Sequence, residues 1–380
     1  MLTSLYLFLF ILSTATAAVL SPRNTTVACN NSPDLCDRAY SNITHLGAHD
    51  SAFLRDSSTD YSDFGNQYYN ATVALSAGVR LLSAQVHKSD GEWHLCHTSC
   101  DYLDAGLAST WLAKIKYWMD ENPHEVVTIL LVNSDDATAD ELNEVFTNSS
   151  ITEYVYTPTD STTAPTSWPT LQELINNGTR LLTFIASLDP DENTDHTYLM
   201  DEFTFIWENP YDVTSLTNFS CKPDRPTSVK GSITDAMDSN RMPFMNHFVY
   251  STQLFGIEEP DVDNITVTNA PSGKTGNLGD TAQNCTSQYG QAPVFILVDF
   301  FDQGPAIKTV DTLNGITAVG RTKPVNTTSQ TSGSSSSKSN VFKGLVDLTN
   351  SVLESGATPK LGQWIWVGGD WSGGLGAVDV

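Results

Sequence analysis

Two short stretches concentrate the side chains able to move protons. The run Ile43-Thr44-His45-Leu46-Gly47-Ala48-His49-Asp50-Ser51 alternates in polarity up to Gly47, then presents an imidazole beside a carboxylate. A second imidazole stands in His94-Leu95-Cys96-His97-Thr98-Ser99-Cys100, bracketed by cysteines. Breaking a phosphodiester by internal attack needs a base for the nucleophile's proton and an acid for the departing oxygen. Histidine serves either role because its unperturbed pKa is about 6.5, and each positioned group contributes roughly 10²–10⁴-fold. His49 and His97 therefore read as a general acid/base pair. Asp50 is suited to orient one of the rings and to stabilise its imidazolium. Asp299 follows the apolar run Val294-Phe295-Ile296-Leu297-Val298, so it is a second carboxylate expected at a strand's carboxyl end.

Each of these residues also has a plainer reading. Asp50-Ser51 is suited to cap a helix beginning near Ala52, and Asp299 to cap the Gln303-Gly304 turn. A Cys96–Cys100 bridge closes a tiny loop and gains little through chain entropy; positioning His97 explains it better. Metal binding is the rival chemistry, with His45, His49, His87, His94 and His97 as donors. Residues four apart on a strand, however, lie about 13 Å apart, and the H-E-x-x-H signature is absent. No metal and no other cofactor is expected. There is no G-x-S-x-G elbow and no glycine-rich phosphate loop, which lowers serine-hydrolase and nucleotide-binding readings. Trp207-Glu208-Asn209 and His247 fall near predicted strand ends, where pocket-lining and packing roles are equally open.

The elements that must position these groups alternate between helix and strand, which favours a parallel α/β barrel or doubly wound sheet over a sandwich. Strands are expected at 42–47, 78–87, 92–96, 126–132, 180–185, 203–207, 244–250 and 294–300. Helices are expected at 72–77, 104–121, 138–146 and 306–313, and the box Thr170-Leu171-Gln172-Glu173 starts another. The segments 258–291 and 326–340 read as polar, low-complexity insertions, the second a Ser-rich loop. The tail at 361–367 resembles a closing strand.

Residues 1–17 combine an apolar run with an Ala15-Thr16-Ala17 cleavage site and read as a secretory signal peptide; residues 18–41 form a polar arm. Sequons at Asn24, Asn30, Asn42, Asn70, Asn148, Asn177, Asn218, Asn264, Asn284 and Asn326 support a secreted, extracellular glycoprotein. The six cysteines suit an oxidising compartment. Nearest-neighbour pairing suggests Cys29–Cys36, Cys96–Cys100 and Cys221–Cys285, one of about 15 connectivities. A net charge of −25 argues against nucleic-acid partners and against docking on anionic membranes through basic patches. The tail at 361–367 lacks the long apolar run of a lipid-anchor signal, and a monomer without a stable membrane anchor is expected.

Leu46-Gly47-Ala48-His49-Asp50-Ser51 resembles the first-histidine motif of phosphatidylinositol-specific phospholipase C X-domains, particularly the secreted fungal and bacterial phospholipase-C-like phosphodiesterases. The resemblance continues, in order, through Gly78-Val79-Arg80-Leu81-Leu82, His94-Leu95-Cys96-His97, Asn122-Pro123-His124-Glu125-Val126-Val127, Asn246-His247-Phe248, Leu297-Val298-Asp299-Phe300 and Asp311-Thr312-Leu313-Asn314-Gly315. It implies a single-domain, distorted TIM-type (β/α) barrel over 42–380 with its site at the strand carboxyl ends. By this likeness His49, supported by Asp299, would be the base activating the attacking hydroxyl. His97, supported by Asp50, would be the acid protonating the leaving oxygen of a phospholipid or related phosphodiester. In metal-free bacterial members the second strand carries an Asp and an Arg that steady the phosphate; aligned from Arg80, those places hold Ser83 and Gln85. Calcium-dependent members put acidic ligands there, which this chain also lacks. Asn133 stands where a strand-end lysine is expected. Gln85, Asn133, Glu208 and His247 are the substrate-binding candidates. A weakened barrel that binds lipid head groups or glycans without turnover is the alternative.

Overall fold

Runs of β-branched, leucine and phenylalanine residues build the interior. The computed structural model describes residues 27–253, 257–319 and 321. Its strands are β1 His45–Ala48, β2 Leu81–Ser89, β3 Glu92–Cys96, β4 Asp104–Leu107, β5 Val127–Asn133, β6 Leu181–Ala186, β7 Leu199–Asp201, β8 Ile206–Glu208, β9 Met242–Asn246, β10 Tyr250–Thr252, β11 Glu258–Pro260 and β12 Phe295–Val298. Eight of them form one parallel sheet in the order β7-β6-β5-β2-β1-β12-β9-β8. Its two edges, β7 and β8, are consecutive in the chain and joined by the short helix Glu202–Phe205, yet do not pair. The sheet is thus a curled, open (β/α) barrel. β3 and β4 extend β2 as an antiparallel hairpin, and β10 pairs with β11 separately.

The helices are α1 Ala71–Ala77, α2 Ala108–Glu121, α3 Ala139–Asn148, α4 Leu171–Asn177, α5 Glu202–Phe205, α6 Ile233–Asp238, α7 Ile265–Thr268, α8 Leu278–Tyr289 and α9 Ala306–Leu313. Their starts follow local chemistry. Thr138 and Thr170 each form a capping box, with Glu141 and Glu173 respectively. Gly78 and Gly178 end α1 and α4 in left-handed conformation.

Successive strand residues face opposite sides, so the core divides in two. Leu46, Ala48, Leu82, Ala84, Ile129, Leu131, Ile296 and Val298 pack outward under the helices. Leu81, Leu130, Leu182, Phe184, Phe244, Phe295 and Leu297 fill the barrel interior with Tyr40 and Trp168. Arg80, buried at the amino end of β2, is held there by Glu125 at 2.8 and 2.6 Å. The strand register places Gly47 between Leu297 of β12 and Leu81 of β2.

Several expectations are revised. Residues 104–107 are a strand that pairs with β3, so the helix begins only at Ala108. The 203–207 run divides into the end of α5 and most of β8. The polar segment 258–291 carries β11, α7 and α8, with Leu278, Ala282, Cys285 and Tyr289 buried at helical spacing. All three nearest-neighbour disulfides are formed. Asn30 is a sequon only on paper: it is buried, and its Oδ1 accepts the Val126 N–H at 2.6 Å. Residues 1–17, 326–340 and 361–367 lie outside the described residues. Among the described residues no helix is long and apolar enough to cross a membrane.

A Cβ on Gly47 would come within 2.7 Å of both Leu297 Cδ1 and Leu81 Cδ2. Overpacking of this kind costs about 1–3 kcal/mol. Gly47→Ala is therefore expected to lower stability by that order in denaturant unfolding; unchanged stability would show that the two leucines yield freely.

Candidate active site

The two-residue period of the strands carries the site. His45 and Gly47 face the barrel interior, and His49 continues their side one residue beyond β1. Leu81, Ser83 and Gln85 do the same on β2, and so do Phe295 and Leu297 on β12 and Asp299 one residue beyond it. Register does the rest: Gly47 is level with Leu297 and Leu81, and the His49 N–H donates to Val298 O at 2.9 Å. His49 and Asp299 accordingly meet, the ring Nδ1–H donating to Asp299 Oδ1 at 2.9 Å.

Asp50 should point outward by the same period. Instead it adopts a left-handed backbone, φ 46°, with its N–H donating to Ser83 Oγ at 2.9 Å. This turn brings Asp50 Oδ2 to 3.6 Å from His49 Nε2 and 3.8 Å from His97 Nε2. His97 arrives from the hairpin, one residue past β3, in the loop closed by Cys96–Cys100. Its N–H donates to Leu103 O at 2.9 Å, and Thr98 Oγ1 lies 3.2 Å from its Nδ1. Thr98 (φ 60°) and Phe300 (φ 43°) are left-handed too. The residue after each of His49, His97 and Asp299 thus departs from ordinary backbone, a form of strain that clusters at functional sites.

Aromatic and carboxamide groups lock the rings. Phe248 stacks on His49 with centroids 3.8 Å apart and planes 5° from parallel. Phe53 meets His97 edge-on at 5.3 Å, and Phe64 lies at 5.7 Å. Asn66 Nδ2 donates to Asp299 Oδ1 at 3.0 Å. Gln67 Nε2 donates to His49 O and Val298 O at 2.8 and 3.1 Å, tying β1 to β12 above the sheet. Gln85 bridges two parts of the site: its Nε2 donates to Asp50 Oδ2 at 2.7 Å, and its Oε1 accepts the Thr98 N–H at 2.8 Å.

Both imidazoles are buried, 8% exposed at His49 and 3% at His97, yet their surroundings push their pKa values in opposite directions. Burial alone would lower His49, but the Asp50 and Asp299 charges and the Asp299 hydrogen bond outweigh it and raise its pKa. For His97 burial outweighs the Asp50 charge, and the neighbouring His49 charge adds to it, so its pKa falls. One proton on the pair therefore rests mainly on His49. His97 Nε2 and Asp299 Oδ2 are buried without a hydrogen-bond partner.

The structure brings His49, His97, Asp50, Asp299 and Gln85 together, but not every candidate. Asn133 and His247 belong to the outward-facing set of β5 and of the chain beyond β9. Asn133 closes the turn after its strand, bonding both the N–H and the C=O of Ala137. His247 stacks on Phe219 at 4.2 Å, its Nε2 lies 3.0 Å from Thr268 O, and burial lowers its pKa to about 4. Both act in packing rather than in the barrel mouth. Glu208 does face inward, and its charge helps to raise His49; its carboxylate is engaged by Arg225 at 3.0 Å and Asn246 at 3.3 Å. His45 is also structural, with Nε2 3.1 Å from Tyr40 O and a pKa lowered to about 4 by burial. Asn66, Gln67 and Phe248 were not among the candidates. The first two sit in a polar stretch with no periodicity to mark them, whereas Phe248 shares the inward parity of Phe244 and Asn246.

A curled (β/α) barrel with two buried imidazoles and two carboxylates at the strand carboxyl ends is the class of protein defined so far. The sequence matches the PI-PLC X domain family (PI-PLC X 1) over residues 35–314. It is 36% identical over 314 residues to PI-PLC X domain-containing protein 1 of Arthroderma benhamiae, covering 82% of this chain and 97% of that protein. An uncharacterized secreted protein of the same fungus is 34% identical over 318 residues, 81% of this chain and 69% of the relative. The chain belongs to the PI-PLC X-domain family. Among solved structures, phosphatidylinositol-specific phospholipase C from Listeria monocytogenes superposes with TM-score 0.47 and 15% identity, over 73% of this chain and 95% of that one. A Staphylococcus aureus phosphatidylinositol-specific phospholipase C gives TM-score 0.49 and 14% identity, over 75% and 97%.

The Phe248 face lies parallel to the His49 ring at 3.8 Å, and a cation–π contact to the imidazolium would be worth roughly 0.5–2 kcal/mol. Phe248→Leu keeps the apolar bulk and removes the ring. The His49 titration, followed by NMR, is expected to move to lower pH; an unmoved midpoint would show that the stacking only fills space.

Proposed function

We propose that the protein is a secreted phosphoric diester hydrolase of phospholipase C type, cleaving a phospholipid or related phosphodiester with His49 as base and His97 as acid. The observation that carries this reading is the pair of imidazoles whose Nε2 atoms flank one buried carboxylate, with Asp299 fixing the proton on His49 Nδ1. With that nitrogen occupied, neutral His49 offers its Nε2 lone pair to a substrate hydroxyl. The hydroxyl oxygen attacks phosphorus and its proton passes to Nε2. As the phosphorus–oxygen bond to the leaving alcohol breaks, His97 Nε2–H delivers a proton to that oxygen, and a cyclic phosphate remains. Water then opens the ring with the two histidines exchanging roles. An unpartnered buried polar atom costs about 1–3 kcal/mol, and a bound diester would give His97 Nε2 its missing partner.

The titration directions make His49 a stronger base and His97 a stronger acid than free histidine, at the expense of the population in the productive protonation state. Ser83 and Gln85 are neutral and already bonded to Asp50 and Thr98, which supports a mechanism independent of a divalent ion. Secretion is supported by the leader-like residues 1–17, by the disulfides and by the relative described as secreted. The same neutral pair at Ser83 and Gln85 favours the second reading, a barrel that holds head groups without turnover.

Cleavage needs one proton on the pair, so the rate should be bell-shaped in pH. Below the lower macroscopic pKa both rings are protonated and no base remains; above the higher one both are neutral and no acid remains. Asp299→Asn removes a charge that raises His49, so the alkaline limb should move to lower pH. A profile with an unmoved alkaline limb would contradict the assignment. His49→Ala and His97→Ala should each lose about 10²–10⁴-fold of cleavage of a phosphodiester panel that includes phosphatidylinositol, and a chelator should change nothing. Undiminished activity in either variant would refute the mechanism. Tight binding of intact diesters by a wild type that cleaves none would establish the second reading.

A further inference from the structure

We infer that Gln85 is a positioning residue that commits the shared carboxylate Asp50 to His97, rather than a contact to the phosphate. The inference rests on the two-histidine reading above and deepens it. Asp50 Oδ2 stands almost midway between the two imidazoles, 3.6 Å from His49 Nε2 and 3.8 Å from His97 Nε2. Nothing in those two distances decides which ring the carboxylate serves. Gln85 decides it, because one end of its amide holds Asp50 Oδ2 at 2.7 Å and the other holds the Thr98 N–H at 2.8 Å. Thr98 follows His97 and turns through a left-handed backbone, so the bridge ties Asp50 to the loop that carries His97. One N–H of the amide and its carbonyl oxygen are thereby engaged within the protein.

The residue type follows from this double bond. The position must donate to a carboxylate and accept from a backbone N–H a few ångströms away. Arginine or lysine donates to Asp50 but has no acceptor for Thr98. It would also neutralise the charge that attracts a proton to His97. Ionised glutamate accepts from Thr98 but sets a second negative charge against Asp50. Glutamine does both while leaving the Asp50 charge intact. A protonated glutamate also does both, its O–H donating to Asp50 and its carbonyl accepting from Thr98. The other titratable groups that bear on Asp50 and the rings are Asp299 from the end of β12, Tyr250 from β10, and Glu208 from β8 acting on His49.

The test measures cleavage and the His97 ring titration together, in wild type, Gln85→Ala and Gln85→Glu. In Gln85→Ala, Asp50 is no longer tied to the His97 loop. The His97 midpoint should fall, and kcat should drop about tenfold or more at every pH with KM changed less than about threefold, since general acid catalysis is what is lost. Gln85→Glu should recover activity toward wild type at low pH, where residue 85 is protonated, and lose it as pH rises, giving a profile narrower on its alkaline side. That rescue also shows that the fold survives the substitution. Equal kcat and unshifted His97 midpoints in both variants would overturn the inference, as would a loss confined to KM, which would make Gln85 a substrate contact. If the wild type cleaves no diester while the His97 midpoint still moves as described, the positioning role stands and the proposed reaction falls.

Discussion

Parallel strands held in register repeat every two residues, and that repeat decides which side chains of this barrel can meet. β1, β2 and β12 are paired so that Gly47 lies level with Leu81 and Leu297. Every inward position above that level is then in one cluster: His49 and Asp299 meet at hydrogen-bond distance, with Ser83 and Gln85 beside them. A one-residue slip would turn the whole set outward. The tight leucine packing around Gly47 and the Gln67 bonds across the ends of β1 and β12 hold the register against such a slip.

Period alone could not have built the site, because adjacent residues of a strand never share a face. The left-handed turn at Asp50 breaks the alternation at the point where β1 ends, so His49 and Asp50 both reach the interior. Aspartate tolerates this conformation better than most residues. The hairpin of β2 and β3 then lowers His97 onto the other side of Asp50. Two carboxylates and two imidazoles are confined in a poorly hydrated space, where opposite charges interact more strongly than in water. His49, with two acidic neighbours, holds its proton; His97, with burial dominant, gives it up readily.

Much of this is legible in the sequence. The apolar runs before His49 and Asp299 marked strand ends, and the cysteines around His97 marked a constrained loop. Adjacency in sequence is a weaker guide. Asn133 and His247 lie near the expected strand ends but on the outward parity, which the sequence does not mark where a strand is apolar on both faces, as β5 is. Four-residue elements were also obscured: 104–107 reads as the first turn of a helix until its pairing with β3 is seen. Asn66 and Gln67 gave no signal, because a buried carboxamide is recognised by what it bonds and not by its neighbours in the chain. Gln85 was visible as a departure from the family pattern, but its two partners lie 35 and 13 positions away in sequence.

If two histidines pass protons through an internal displacement at phosphorus, phosphorus-31 NMR of phosphatidylinositol during turnover should show a cyclic phosphate resonance that rises first and is then replaced by the monoester. Direct appearance of the monoester, with no cyclic species at any time, would contradict it.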